Sequence, residues 1–170
     1  MNIYGNGILK IKQTLYPSAA ENPELPRFGM KVSVNETFDN LEWFGRGPHE
    51  SYWDRKTSAK IDRYKGKVID QTYKYVRPQE TGNKTDIRWL ALYNGSIGLM
   101  VKGLPVFDGS VHHYDYALLD YYKGSQRHGK IDITKGDQID LIVDYKQMGV
   151  GAVSYTHLRA HETVLDLVCR

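Results

Sequence analysis

One cysteine in 170 residues, Cys169, excludes an internal disulfide framework. Long apolar runs are missing too: none approaches the ~20 residues that a membrane-crossing helix needs. The opening MNIYGNGILKIK has no charged leader ahead of an apolar stretch, so it does not read as a secretory signal. Blocks of one charge sign are also absent. The 23 lysines and arginines alternate with 20 aspartates and glutamates, leaving a net charge of +3 and no basic footprint for a nucleic acid. Neither a nucleic acid nor a membrane is therefore expected as a partner. No G-x-S-x-G elbow and no glycine-rich phosphate cradle occurs.

Strand and turn formers are abundant: thirteen tyrosines and sixteen glycines lean the chain toward β structure. Period-two alternation dominates. In GILKIKQTL, Leu9, Ile11 and Leu15 oppose Lys10, Lys12 and Thr14. In FGMKVSVN, Phe28, Met30, Val32 and Val34 oppose Gly29, Lys31, Ser33 and Asn35. One dry and one wet face is the mark of an antiparallel sheet. The intervening YPSAAENPELPR reads as a loop. Short strands are expected at Leu41 to Phe44, Lys67 to Ile69 and Tyr73 to Val76, the last stopped by Arg77-Pro78. DIRWLALYNGSIGLMVKG reads as a hairpin, with Asn94-Gly95 suited to the positive φ angles of its turn. QIDLIVDY alternates again, with Ile139, Leu141, Val143 and Tyr145 on one face. Tyr114 to Tyr122 is the one expected helix, with Asp115 as its cap. The sum is an all-β antiparallel sandwich with long polar, aromatic-rich loops.

Few residues offer chemistry. His112-His113, placed after a GLPVFDGS loop, could supply a general acid or base near neutral pH. The stronger reading is a hydrogen-bonding histidine at a sheet edge. Of the tryptophans, Trp89 lies within the apolar alternation and is expected in the core. Trp53, in HESYWDR, is the surface candidate for stacking on a sugar. Glu80 sits in the charged stretch YVRPQETGNKTDIRW and is expected to pair with Arg88 or Arg46 as a structural corner. A lone glutamate beside an arginine is poor equipment for acid–base work, which uses carboxyls held in different environments. His157 and His161, four apart, would share a helix face. Glu162 follows the second histidine instead of the first, so the metalloprotease pattern fails and no metal site is expected.

Residues 152–170 stand apart. They lose the alternation, hold no glycine or proline, and contain the lone cysteine. They resemble translated sequencing-adapter read-through, with Leu158, Val164, Leu165 and Val168 apolar enough for a short amphipathic helix.

LPRFGM, EWFGRGPHESYWDRK, YVRPQETGNKTDIRWLAL and VDYKQMGVG, in this order and spacing, resemble the C-terminal domain of the large bacterial β-galactosidases of glycoside hydrolase family 2. The resemblance divides the chain into a partial domain at 1–151 and a foreign tail at 152–170, a fragment cut at both ends. It implies a sandwich of the galactose mutarotase type, placed after a catalytic barrel that holds both catalytic glutamates. It also implies a galactoside substrate, a divalent cation such as Mg in the whole enzyme, and a homo-oligomer. Between cytoplasm and periplasm it favours the cytoplasm. In the family a tryptophan that helps hold the sugar follows the Q-M-G-V-G-G motif. Here Gln147 to Gly151 stands and no tryptophan follows, so that role passes to no residue. Ser51 and Trp53 replace the family's usual asparagine and frequent proline. No catalytic residue is expected in this chain. Two other readings compete: a mutarotase-like epimerase pairing His112 or His113 with Glu80, and a carbohydrate-binding module built on Trp53.

Overall fold

The computed structural model describes residues 1–16, 25–75, 80–115 and 135–149, and the strand backbone of 164–169. Among the described residues nine strands follow one another: β1 (Asn2–Ile3), β2 (Leu9–Thr14), β3 (Arg27–Asn35), β4 (Asn40–Gly47), β5 (Lys60–Lys67), β6 (Lys84–Tyr93), β7 (Gly98–His112), β8 (Gln138–Gln147) and β9 (Val164–Cys169). Every pairing is antiparallel.

Six strands run side by side in the order β3-β8-β7-β6-β4-β5. β7 is the pivot. Its residues Val101 to Leu104 pair with β9, which leads on to β2 and β1, whereas Asp108 to His112 pair with β8. Pro105 lies between the two sets and has no N–H to give either ladder. One strand thus feeds both layers of the sandwich.

The alternation places the core. Leu41 and Trp43 of β4, Leu90 and Leu92 of β6, Val101 of β7 and Ile139, Leu141 and Val143 of β8 are buried together. Leu9 and Ile11 of β2 pack on that cluster from the β1-β2-β9 side, and Met30 and Val34 of β3 and Tyr145 of β8 pack on it too. Burial of each large aliphatic side chain is worth ~1.5–3 kcal/mol. In β3 a bulge between Phe28 and Gly29 resets the register. A Cβ at Gly29 would stand 2.1 Å from the Val143 carbonyl oxygen, so only glycine lets β3 lie this close to β8.

The hairpin expected at Asn94-Gly95 is present. Asn94 N–H donates to Ile97 O at 3.2 Å, and Gly95 has φ 97°. The alternation read in QIDLIVDY is the β8 core face.

Several expectations fail. Lys67 to Ile69 is not a strand: Lys67 ends β5, and Val68–Gln71 forms a 3-10 turn. Sequence reading missed β5 because KIDRYKGK lies at the sheet edge and is largely exposed, so few apolar residues mark it. Tyr73 to Tyr75 has no strand pairing, and Val76 lies outside the described residues. Trp89 is half-buried on the outer face, because its cross-strand partner is Phe44; the buried tryptophan is Trp43. The segment before His112 is β7 itself, not a loop. Residues 116–122 of the expected helix, which decide whether Asp115 caps it, lie outside the described residues, as do 17–24 of the first loop. Within the tail, Val164–Cys169 is strand β9 between β2 and β7, not helix.

Candidate functional site

The four stretches quoted above come together at one end of the sheet. Arg27 at the start of β3 stands opposite Gln147 at the end of β8, and Met148 N–H donates to Pro26 O at 2.8 Å. The loop after β4 is sewn to the entry of β6: Ser51 N–H donates to Asn83 O and Asn83 Nδ2 donates to Ser51 O, both at 2.8 Å. Thr85 N–H donates to Ser51 Oγ at 3.0 Å. The hydroxyl at position 51 therefore does the positioning work here. Gly149 presses on the same loop, since a Cβ there would lie 2.4 Å from Asp54 Cγ.

Glu50 is a hub of this end. It accepts from Gly82 N–H at 2.8 Å and from Arg55 Nη2 at 2.6 Å, and the Tyr75 hydroxyl donates to it at close range. Burial pushes its carboxyl up, yet the Tyr75 and Gly82 hydrogen bonds and the Arg55 charge outweigh that, and its pKa is lowered overall. Gly82 holds φ +76, a left-handed backbone that presents its amide to Glu50.

Beside it lies a carboxyl cluster that sequence reading did not assemble. Arg27 Nη2 stands 2.9 Å from Asp144 Oδ2 and 3.6 Å from Glu80 Oε1. Arg27, and neither Arg88 nor Arg46, is thus the partner of Glu80. Arg46 Nε instead pairs with Asp86 Oδ2 at 2.5 Å, and Arg88 Nη1 donates to Asp86 O at 2.6 Å. The positive φ of 56° at Asp86 and the irregular register around Ile87 turn this part of β6 away from Glu80. Burial pushes Glu80 up to about 7, against the pull of the Arg27 charge. Asp144 is pushed up to about 6 by burial, again opposed by Arg27. Asp108 joins them at about 7, raised by burial and further by the Asp86 and Asp144 charges. The available sequence signal was a carboxylate inside apolar strands, as in VFDGSV and LIVDY.

The histidines do not meet an open site. His112 is fully buried, and burial lowers its pKa to about 3, with the Lys84 and Arg27 charges adding to the effect. It is neutral and out of reach of a sugar. His113 is buried too, its Nε2 2.9 Å from Asp39 Oδ1. With Glu80 also buried, an acid–base pair facing a bound sugar is not formed, and the epimerase reading falls. Trp53 is 40% exposed, as expected, but Lys56 Nζ and Lys146 Nζ lie 3.9 and 4.3 Å from its ring centroid. Among the described residues no group of three or more histidine, cysteine or acidic side chains could hold a metal ion. His157, His161 and Glu162 lie outside the described residues, as does Gly151. The described groups interlock four segments; they do not present a reactive pair.

Comparison with known proteins agrees with the motifs. The β-galactosidase of Priestia megaterium is 42% identical over 160 residues, covering 94% of this chain and 15% of that protein. That of Vibrio cholerae is 36% identical over 129 residues, 76% of this chain and 12% of that protein. That of the yeast Kluyveromyces lactis is 29% identical over 133 residues, again 76% and 12%. The chain thus spans a small fraction of the length of the relatives it matches. The model of the beta galactosidase small chain matches residues 1–165, and the chain belongs to that family.

Proposed function

We propose that this chain is part of a β-galactosidase that hydrolyses terminal β-D-galactosides with retention. The observation that carries the reading is the match itself: 94% of the chain aligns with a protein named β-galactosidase. In this reading the nucleophile and the acid/base are two carboxyls about 5 Å apart in another part of the enzyme. The first forms a glycosyl–enzyme ester as the second protonates the leaving oxygen; water then releases the sugar with the second acting as base. In this reading the divalent cation, such as Mg, is held by another part of the enzyme. This chain packs against the catalytic barrel, and the end where the four motifs meet walls the sugar site, in an enzyme that assembles as a homo-oligomer. Trp53 lies at that end, partly exposed and with Lys56 and Lys146 over its ring.

The test has two arms. The isolated chain should leave a chromogenic galactoside uncleaved. The P. megaterium enzyme carrying residues 1–149 in place of its own aligned segment should cleave it. A folded hybrid with no turnover would sink the reading.

A further inference from the structure

The outer face of the β5-β4-β6-β7 sheet carries a group of exposed apolar side chains among its charged ones. Cross-strand register fixes who lies there. Arg63, Phe44, Trp89 and Lys102 form one row across the four strands, and Lys65, Glu42, Ala91 and Met100 the next. Ile61 lies opposite Arg46 on the same face, and Leu104 follows Lys102 by two residues. Residues paired or two apart on neighbouring strands share a face. Phe44 is 36%, Met100 38%, Ile61 43% and Leu104 45% exposed, and Trp89 is half-buried among them. The opposite face, with Leu41, Trp43, Leu90 and Val101, fills the core. Large apolar side chains therefore stand on both faces of the sheet, a pattern expected where a sheet is covered on both.

The rim is basic. Arg63 lies over the Trp89 ring at 5.7 Å and Arg88 over the Phe44 ring at 5.5 Å. Lys65 and Lys102 are exposed beside them, and Glu42 is already engaged by Arg63 and Lys65.

We infer that this face is the docking surface for another domain of the same polypeptide, one presenting an apolar centre ringed by carboxylates. The inference rests on the β-galactosidase reading above and says which side of the sandwich meets the rest of the enzyme. Two observations select this occupant. The P. megaterium relative is matched over 15% of its length, so most of such a polypeptide is available to cover the face. The rim cations ask for a partner with acidic groups at its margin. Aromatic side chains backed by arginine are the residue types that anchor such contacts.

The hybrid enzyme described above tests it by limited proteolysis, which reads docking whether or not the hybrid turns over substrate. Phe44→Glu with Met100→Glu should speed release of the grafted domain by about tenfold or more, the effect of removing central anchors. Lys102→Glu, an exposed change that leaves the fold alone, should speed release at low salt and lose its effect at high salt. Ile3→Glu, on exposed β1, should do neither. Release rates within about twofold of the unsubstituted hybrid for both face variants would overturn the proposal. So would unchanged release with loss of subunit association, which would assign the face to a second copy of the enzyme. A hybrid that resists protease, responds to the face variants and yet hydrolyses nothing would sink the β-galactosidase reading and leave the docking surface standing.

Discussion

Arg27 Nη2 lies 3.6 Å from Glu80 Oε1, joining the first residue of β3 to the approach to β6 across 53 positions of chain. The same guanidinium holds Asp144, so it stands between two buried carboxyls. Arg27→Ala should therefore cost about 3 kcal/mol, the lower end for a broken buried pair because the arginine is partly exposed. Glu80→Gln keeps the shape and removes a carboxyl that burial already holds near neutrality, so its cost should stay within about 1 kcal/mol. Urea unfolding of the two variants compares them directly, and a larger loss for Glu80→Gln would contradict this account.

The carboxyl cluster sets an uncommon pH dependence. Asp108, at about 7, keeps its proton in the folded chain over a range where the unfolded chain has released it. The stability it contributes is complete below its unfolded pKa and is lost as pH rises toward 7. Glu80 and Asp144 act in the same direction, whereas Glu50, Asp86, Asp39 and Glu42 are lowered and lose stability only in stronger acid. Thermal midpoints should thus rise as pH falls from 7.5 to about 5. Asp108→Asn should flatten that slope and gain on the order of 2 kcal/mol at pH 7.5. A midpoint that falls steadily over this range would refute it.

Gly82 is a further sensitive point. A Cβ there would sit 2.4 Å from the Gln71 carbonyl oxygen and 3.1 Å from His112 Cε1, on a backbone at φ +76. Gly82→Ala should cost at least about 2 kcal/mol, from left-handed strain together with overpacking. Retention of the wild-type unfolding midpoint would show that the backbone relaxes freely.

His112 should stay neutral across the physiological range. Its pKa of about 3 follows from burial first and from nearby Lys84 and Arg27 second. Its ring proton resonances, followed by NMR from pH 5 to 8, should not shift, while those of a solvent-exposed histidine titrate near 6.5. A titration of His112 near neutrality would reopen a proton-transfer role.

The fold was readable where alternation is regular. Ile139, Leu141 and Val143 announced the core face of β8, and Asn94-Gly95 announced its turn. Reading failed where a bulge breaks the period. The irregular register around Ile87 puts Trp89 on the outer face, and nothing in IRWLAL marks the slip. The site was readable as motifs but not as pairs. Arg27 and Glu80 belong to segments that only the β3–β8 pairing brings together, and local spacing favours the nearer Arg88. Asp108 was overlooked because an aspartate before glycine reads as a turn, whereas here it is buried in a long strand.

The placement of β3 has a consequence for synthesis. Its ladder partner is β8, with Arg27 opposite Gln147, so its edge cannot be closed until nearly the whole domain has been translated. A nascent chain that has emerged through β7 can assemble the β5-β4-β6-β7 sheet, yet it still carries β3 with its backbone donors and acceptors open. Folding in this order makes β8 the strand that closes the β3 edge and brings Asp144 to Arg27, while β9, made later still, joins β7 to β2. A pause in synthesis after β7 has emerged and before β8 has would prolong the exposure of the open β3 edge.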